Sequence, residues 1–314
     1  MTRDVKMPAT VYKGASMTAY LKRTWMLYAM LLLPTAFFVI FRYIPMAYIW
    51  MAFSDFNIFR DLFDSSWVGF AHFQTAFAQH DFWPAFRNTI VLNSLDLIIG
   101  FPAPIILAIL LSELKFKLFK RFTQTVLYMP HFLSWVVISS MMVQLFATNM
   151  GLVNNFFADL GLNRFDFLTT SWNWVGTYIG IGVWQSMGWG TIIYLAAISA
   201  IDLSLYEAAE IDGANRFQKI IHVTIPCIMP TVVILLILAI GGMVGIGFDR
   251  PFLMQNPTVM DRADVLSTLV FRRGIQTFQY SLATAISVFQ SVINIFLLVS
   301  ANFIARKLGQ RGIY

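Results

Sequence analysis

Asp96 stands in the middle of an apolar run, "TIVLNSLDLIIGF". With Thr89, Asn93 and Gly100 it falls at i, i+4, i+7 and i+11, one face of a helix. A carboxylate inside a bilayer is costly and turns toward protein or water rather than lipid. Two readings of that face stand side by side. Either it lines a path for a solute, or Asp96 bonds a neighbouring helix, because Pro102 and Pro104 just beyond it disturb the backbone and free carbonyls. A second polar stripe runs through "SLATAISVFQSVIN": Thr284, Ser287, Ser291 and Asn294 follow at i, i+3, i+7 and i+10, with Gln290 alongside. Small hydroxyls serve helix contacts, but the two amides are larger than contact requires, so the stripe reads as the wall of a solute path. The third set is Trp184, Gln185 and Trp189 in "GVWQSMGWG". Aromatic faces stack on sugar rings and an amide bonds hydroxyls, so the trio would suit a carbohydrate. The plainer reading packs the tryptophans against the adjacent glycines and bonds Gln185 to another span.

Nothing else in the chain converges on chemistry. His72, His80, His131 and His222 are scattered, and no pair has metal-ligand spacing. There is no nucleophile elbow and no P-loop, so the chain does not bind ATP that way. The single Cys227 permits no internal disulfide and has no metal-site partners. The expectation is a chain that is not an enzyme and binds no cofactor of its own. An intramembrane enzyme would need paired carboxylates or a metal cluster, which a lone Asp96 does not supply. The main alternative is an ion-coupled secondary transporter using Asp96 as its coupling carboxylate, with six spans forming half of a dimer.

The elements that must hold these residues are membrane helices. Hydrophobic residues make up 58% of the 314 and charged residues 12%, against roughly 25% charged in soluble domains. Six apolar stretches, at 24–43, 89–111, 125–146, 174–200, 227–248 and 280–304, approach or exceed the ~20 helical residues that cross a hydrocarbon core. The alternation of a membrane barrel is absent, so the fold class is all-α and polytopic. The basic start runs directly into the first span, which predicts no removable signal peptide. Lysines and arginines set the orientation. With both termini in the cytoplasm, all eight lysines and Arg3, Arg23, Arg121, Arg216, Arg306 and Arg311 fall inside. Arg60, Arg87, Arg164, Arg250, Arg262, Arg272 and Arg273 fall outside, and Arg42 snorkels at the outer end of the first span. The net charge of +6 is thus a topology signal and implies no nucleic acid. The expected organisation is a cytoplasmic tail at 1–23, a six-span membrane domain at 24–304 and a second cytoplasmic tail at 305–314. The first outer loop carries Phe70, Phe73 and Phe77 at helical spacing between Trp67 and Trp83, an amphipathic helix anchored at the interface.

One cytoplasmic connection is unlike the rest: "YEAAEIDGANRFQKIIHVTIP", 206–226, inside a polar loop at 201–226. Glu207 to Asp212 favours helix, Gly213 permits a turn, and 215–222 resumes a helix with Phe217, Ile220 and Ile221 on one side. Pro226 is expected to end that helix, and Pro230 suits the first turn of the next span. The product is a helix-turn-helix elbow, joined stiffly to the fourth and fifth spans and able to transmit a push to both. A solvated linker would need neither the alanines nor the fixed Gly and Pro.

The pattern Glu207-Ala208-Ala209, three residues, Gly213, then Val223-Thr224-Ile225-Pro226 resembles the E-A-A…G…I-x-L-P motif of permease subunits of binding-protein-dependent ABC importers. Val for Ile and Ile for Leu are its two departures. "VGFAHFQTAF", "DFWPAFRNT", "YMPHFLSWVV", "FDRPFLMQNP" and "YSLATAISVFQSVIN" are similar to the sugar-importer branch, more narrowly to its oligosaccharide and polysaccharide permeases, those for alginate among them. The resemblance implies a type I ABC importer permease fold in the bacterial inner membrane. It implies a second homologous permease, two ABC ATPase subunits that hold ATP and Mg, a periplasmic solute-binding protein, and a carbohydrate substrate moved by alternating access. It further implies that the elbow docks in a cleft of the ATPase, Glu207 pairing with a basic ATPase residue while Ala208, Ala209 and Gly213 keep the surface slim; Asp212 and Arg216 share that surface. Asn93, Asp96, Trp184, Gln185, Ser287, Gln290 and Asn294 are the candidate substrate-path residues. An acidic polymer should leave an excess of basic groups outside, but the outer loops hold seven arginines against nine aspartates. Composition therefore does not point to an acidic substrate.

Overall fold

A computed structural model of the chain describes residues 17–59, 61–245, 247–309 and 312. Most of the expected N-terminal tail, with Arg3, Lys6 and Lys13, lies outside these residues, as do Arg60 and Arg311. Among the described residues the chain is helix and loop, with one isolated β-bridge, Ser54 to Trp67. Five helices are long and apolar enough to cross a bilayer singly: α1 (Thr24–Phe53), α3 (Phe82–Ser112), α7 (Ser171–Ser199), α9 (Arg216–Gly241) and α12 (Tyr280–Lys307). The shorter helices are α2 (Ala71–Ala78), α6 (Leu152–Asp159), α8 (Leu203–Ile211), α10 (Asp249–Met254) and α11 (Leu266–Phe271).

The expected third span is broken in two, α4 (Lys117–Phe132) and α5 (Trp135–Phe146), bent by 102°. Pro130 starts a last tight turn at Met129–Phe132. Leu133 and Ser134 are then extended, and the Ser134 hydroxyl accepts from the Val137 N–H to begin α5 afresh.

Proline shapes three other helices without ending them. Five-residue π-helical turns occupy Val39–Tyr43, Asp96–Gly100 and Ile220–Thr224, and each is followed two residues later by a proline: Pro45, Pro102 and Pro226. A proline lacks the N–H and its ring collides with the carbonyl four residues back. One wide turn before it re-aims those carbonyls, and the helix continues. This overturns the expected stop at Pro226. The second elbow helix and the fifth span are one continuous helix, α9.

Two helix pairs carry the packing, the second half of α3 against α7 and α9 against α12. The segment between α9 and α12 knits them together. Met254, Val259, Ala263 and Val265 pack with Leu92, Trp174 and Tyr178 in one core. Leu266 and Leu269 pack with Phe82, Val244 and Ile286 in a second. The aromatic helix α2 joins that second core through Ala76, with Phe77 beside it, while Phe70 stays largely exposed. So α2 is packed on protein along one side and is not only an interfacial anchor.

Candidate functional site

The elbow is built from short-range contacts. The Asp202 carboxylate caps α8 by accepting from the Ser204 N–H at 2.9 Å, which holds that carboxyl below its ordinary range. Gly213 closes α8 with φ of +81°, a conformation that favours glycine. The Ala214 N–H returns to the Ala209 carbonyl at 2.9 Å. Asn215 and Gln218 then form a reciprocal capping box, with bonds of 2.8 and 2.9 Å, and start α9. Lys219 pairs with Glu210 at 3.0 Å across the turn. Tyr206 and Thr224 join hydroxyls at 2.9 Å, tying α8 to the π-helical turn of α9. Glu207, Ala208, Asp212, Gly213 and Arg216 are exposed and Ala209 is half-buried. Beside them Ile211 and Phe217 stand 87% and 69% exposed, an apolar surface on a polar element.

The intramembrane residues are organised around a break. Helix α9 ends at Gly241, and the described residues between it and α10 form no regular helix. Irregular backbone at membrane depth must find polar partners inside the protein. Val244, fully buried, has both of its peptide groups met by α12: its N–H donates to Asn294 Oδ1 at 2.8 Å, and its carbonyl accepts from Gln290 Nε2. The amides are long because they reach this backbone, so the size argument for a path wall fails at Asn294. Gln290 does both, since with Thr284 and Ser287 it also lines a cavity of about 620 Å³ walled by Gly245, Ser267 and Phe271. The hydroxyls of Thr284, Ser287 and Ser291 each bond a carbonyl one turn back in α12.

Past the break, α10 carries Arg250 back to α3. Its guanidinium meets Asp96 twice, at 2.7 and 3.3 Å, and donates to the Tyr178 carbonyl at 2.5 Å. It lies 3.7 Å from the centre of the Tyr178 ring and 5.4 Å from that of Trp135. Gly182 leaves the room it occupies. Of the two readings of Asp96, the bonded one is observed, and the partner is an arginine that charge counting places in the outer loop. A signal for it exists in the sequence: an intramembrane carboxylate needs a cation, the spans offer none at depth, and Arg250 stands two residues past the glycine-rich "GGMVGIGF". Asn93 bonds the Thr89 carbonyl at 3.0 Å, and with Asp96 it lines a smaller cavity of about 240 Å³ beside Gly242 and Met243. The Thr89 hydroxyl accepts from the Leu266 N–H at 2.9 Å.

The tryptophan set on α7 is divided. Gln185 donates to the His131 carbonyl at 3.4 Å, the expected bond to another span. Trp189 stacks flat on His131 with centroids 4.6 Å apart, not on the glycines. Trp184 opens on an apolar cavity of about 650 Å³ between α5 and α7, lined also by Met141, Phe146, Trp172 and Gly176. Between α11 and α12, Arg272 pairs with Asp264 at 2.6 Å and Arg273 with Asp81 at 2.7 Å; the hydrogen bond from Arg272 to Asp264 holds the guanidinium above its ordinary pKa. Arg262 pairs with Asp261 at 3.7 Å and covers the Trp172 ring.

The exposed, preformed elbow is thus continuous with a long apolar helix that ends at a break held by α12. Residues 100–312 match the family described as binding-protein-dependent transport system inner membrane component. Protein LplB of Bacillus subtilis (strain 168) is 40% identical over 306 residues, covering 97% of this chain and 96% of that one. The polygalacturonan/rhamnogalacturonan transport system permease protein YteP of the same strain is 41% identical over 288 residues, 92% of this chain and 90% of that one. A bacterial alginate ABC transporter, solved in complex with an alginate pentasaccharide-bound periplasmic protein, has a chain that superposes with a TM-score of 0.86 at 38% identity, over 95% of this chain and 99% of that one. These relatives do not support the ion-coupled alternative, and the bidentate Arg250 leaves Asp96 no free coupling role. The chain belongs to the binding-protein-dependent transport system inner membrane components and is a non-catalytic permease subunit of an ABC importer.

Proposed function

We propose that this permease carries an oligo- or polysaccharide from a periplasmic solute-binding protein into the cytoplasm, paired with a second homologous permease and driven by two ATPase subunits that hold ATP and Mg. The observation that carries the reading is the elbow: Glu207, Ala208, Asp212, Gly213 and Arg216 exposed on a turn fixed at both ends, with its second helix running unbroken into α9. A displacement of α8 is delivered along a rigid rod to the break at 242–248. Both termini lie in the cytoplasm in this reading, as the excess of basic residues on the elbow's side requires. Glu207 forms no ion pair among the described residues, which leaves it for a basic residue of the ATPase. The solute path runs along Thr284, Ser287 and Gln290 beside the break.

The substrates of the relatives, polygalacturonan/rhamnogalacturonan and the acidic polysaccharide alginate, favour an acidic polymer. Arg250, Arg262, Arg272 and Arg273 already pair with aspartates, so any acidity is read mainly by the binding protein or the second permease. The test is ATPase turnover of the reconstituted complex, wild type against Glu207→Arg, with binding protein and with oligoalginate, oligogalacturonate, a neutral oligosaccharide or no sugar. Stimulation by one sugar in wild type and its loss in the variant is the expected result. Equal turnover in the variant would remove the elbow from coupling, and stimulation by the neutral sugar alone would remove the acidic substrate.

A further inference from the structure

Helix α4 has two opposite faces, and much of each is uncovered. Lys117, Lys120 and Arg121 share one side with Gln124, while Leu118, Phe119, Phe122 and Val126 fall about half a turn away. Lys115 stands just before the helix. Among the described residues none of these four cations forms an ion pair, and Glu113 is the one carboxylate between 113 and 132. The apolar side is as open: Leu118 is 84% exposed and Phe122 66%. Protein covers the flank that borders the cationic side, where Thr123, Gln124, Leu127 and Tyr128 are half-buried and the Leu127 carbonyl abuts Gly188 of α7. Helix α4 is bent 102° from α5, so where α5 follows the span direction α4 runs across it. Apolar side down, cationic side up and protein on one flank is the placement of a helix lying in a membrane surface.

We propose that α4 is a lipid-binding surface helix, in which Lys115, Lys117, Lys120 and Arg121 hold the headgroups of acidic phospholipids while Leu118, Phe119, Phe122 and Val126 enter the acyl region. Charge decides the occupant. Four cations within seven residues beside a span are complementary to an anionic leaflet, and an apolar stripe beneath them fits acyl chains better than water. Each cation near such a surface adds to the attraction, which salt screens within a Debye length.

The assembled complex would be equilibrated in vesicles of equal parts phosphatidylglycerol and phosphatidylcholine, extracted in mild detergent, and its retained lipid identified by mass spectrometry. Wild type is expected to retain phosphatidylglycerol with a preference of about tenfold, falling toward the vesicle ratio in high salt. K115Q/K117Q/K120Q/R121Q should lose the preference while its partner subunits stay bound, and K115R/K117R/K120R should keep it. An undiminished preference in the Gln variant would overturn the proposal. So would a photo-crosslinker at Leu118→Cys that captures a partner polypeptide instead of lipid. If the Gln variant does not assemble, a salt-insensitive preference in wild type would overturn it equally.

Discussion

The elbow and the break after Gly241 are both interruptions between helices, yet they are built in opposite ways. The elbow is held by contacts between neighbours in sequence: Asp202 with Ser204, Asn215 with Gln218, Glu210 with Lys219, Tyr206 with Thr224, none more than 18 residues apart. The break is held from afar, with Val244 bonded to Gln290 and Asn294, 46 and 50 residues on, and Arg250 to Asp96 across 154 residues. Water explains the difference. In water a turn can leave polar groups to solvent and needs only local caps to fix its shape. In the bilayer every freed peptide group and charge must be met by protein, whatever its distance in sequence. The elbow can therefore move as a unit, whereas the break can move only by exchanging partners.

That contrast is broken most directly at the ion pair. Arg250→Leu leaves Asp96 uncompensated, with its side chain 27% exposed. The expected cost is about 3–5 kcal/mol, the usual penalty for stranding one member of a buried pair. The double change Asp96→Leu/Arg250→Met removes both charges and should recover most of it. Denaturation of the purified complex in detergent, run as a double-mutant cycle, measures the coupling. A single-variant cost of about 0.5 kcal/mol or less, as for an exposed pair, would mean that water reaches the site and the two regions do not differ in kind.

The amides of α12 sharpen it further. Asn294→Leu strands the Val244 N–H and Gln290→Leu its carbonyl. Each should cost about 1–3 kcal/mol, nearer the lower figure because the unfolded chain in lipid finds other partners. The same denaturation assay reads it. Ser287→Ala, whose hydroxyl bonds only its own helix at Ala283, should leave stability within about 0.5 kcal/mol and is the control for a polar loss that strands nothing.

The same division governs how much of the molecule is legible in its amino-acid sequence. Five of the six expected spans, the two-helix elbow and Gly213 at its turn follow from rules that act over a few residues, and these are present. Pro226 misleads because a proline stop is also a local rule, and it holds only for a regular helix. The π-helical turn at Ile220–Thr224 satisfies it another way. The 102° break at Leu133–Ser134 is hidden for the opposite reason, since a run apolar enough to span gives no sign that Ser134 restarts the helix. Gln290 and Asn294 are legible as an unusual stripe but not as ties to Val244, because their partner lies beyond the end of another helix. Asp96 announces a missing cation without naming Arg250, which sits in a segment that by charge counting alone belongs outside.

Among changes that strand a polar group, the smallest effect belongs to the elbow and tests whether its weight is local. Asn215→Ala removes the side-chain acceptor from the Gln218 N–H and half of the capping box. Loss of such a cap costs about 1 kcal/mol. Because Gly213, the Asp202 cap and the Tyr206–Thr224 bond remain, that cost should be confined to the first turn of α9. Amide hydrogen exchange at 216–219 should quicken about fivefold, as 1 kcal/mol requires, while the midpoint of global unfolding stays put. An equal loss in global stability would show that the elbow is cooperative with the membrane bundle. The continuous helix from Arg216 to Gly241 would then act as a structural member of the core as well as a rod, and motion at the elbow could not be separated from repacking at Val244.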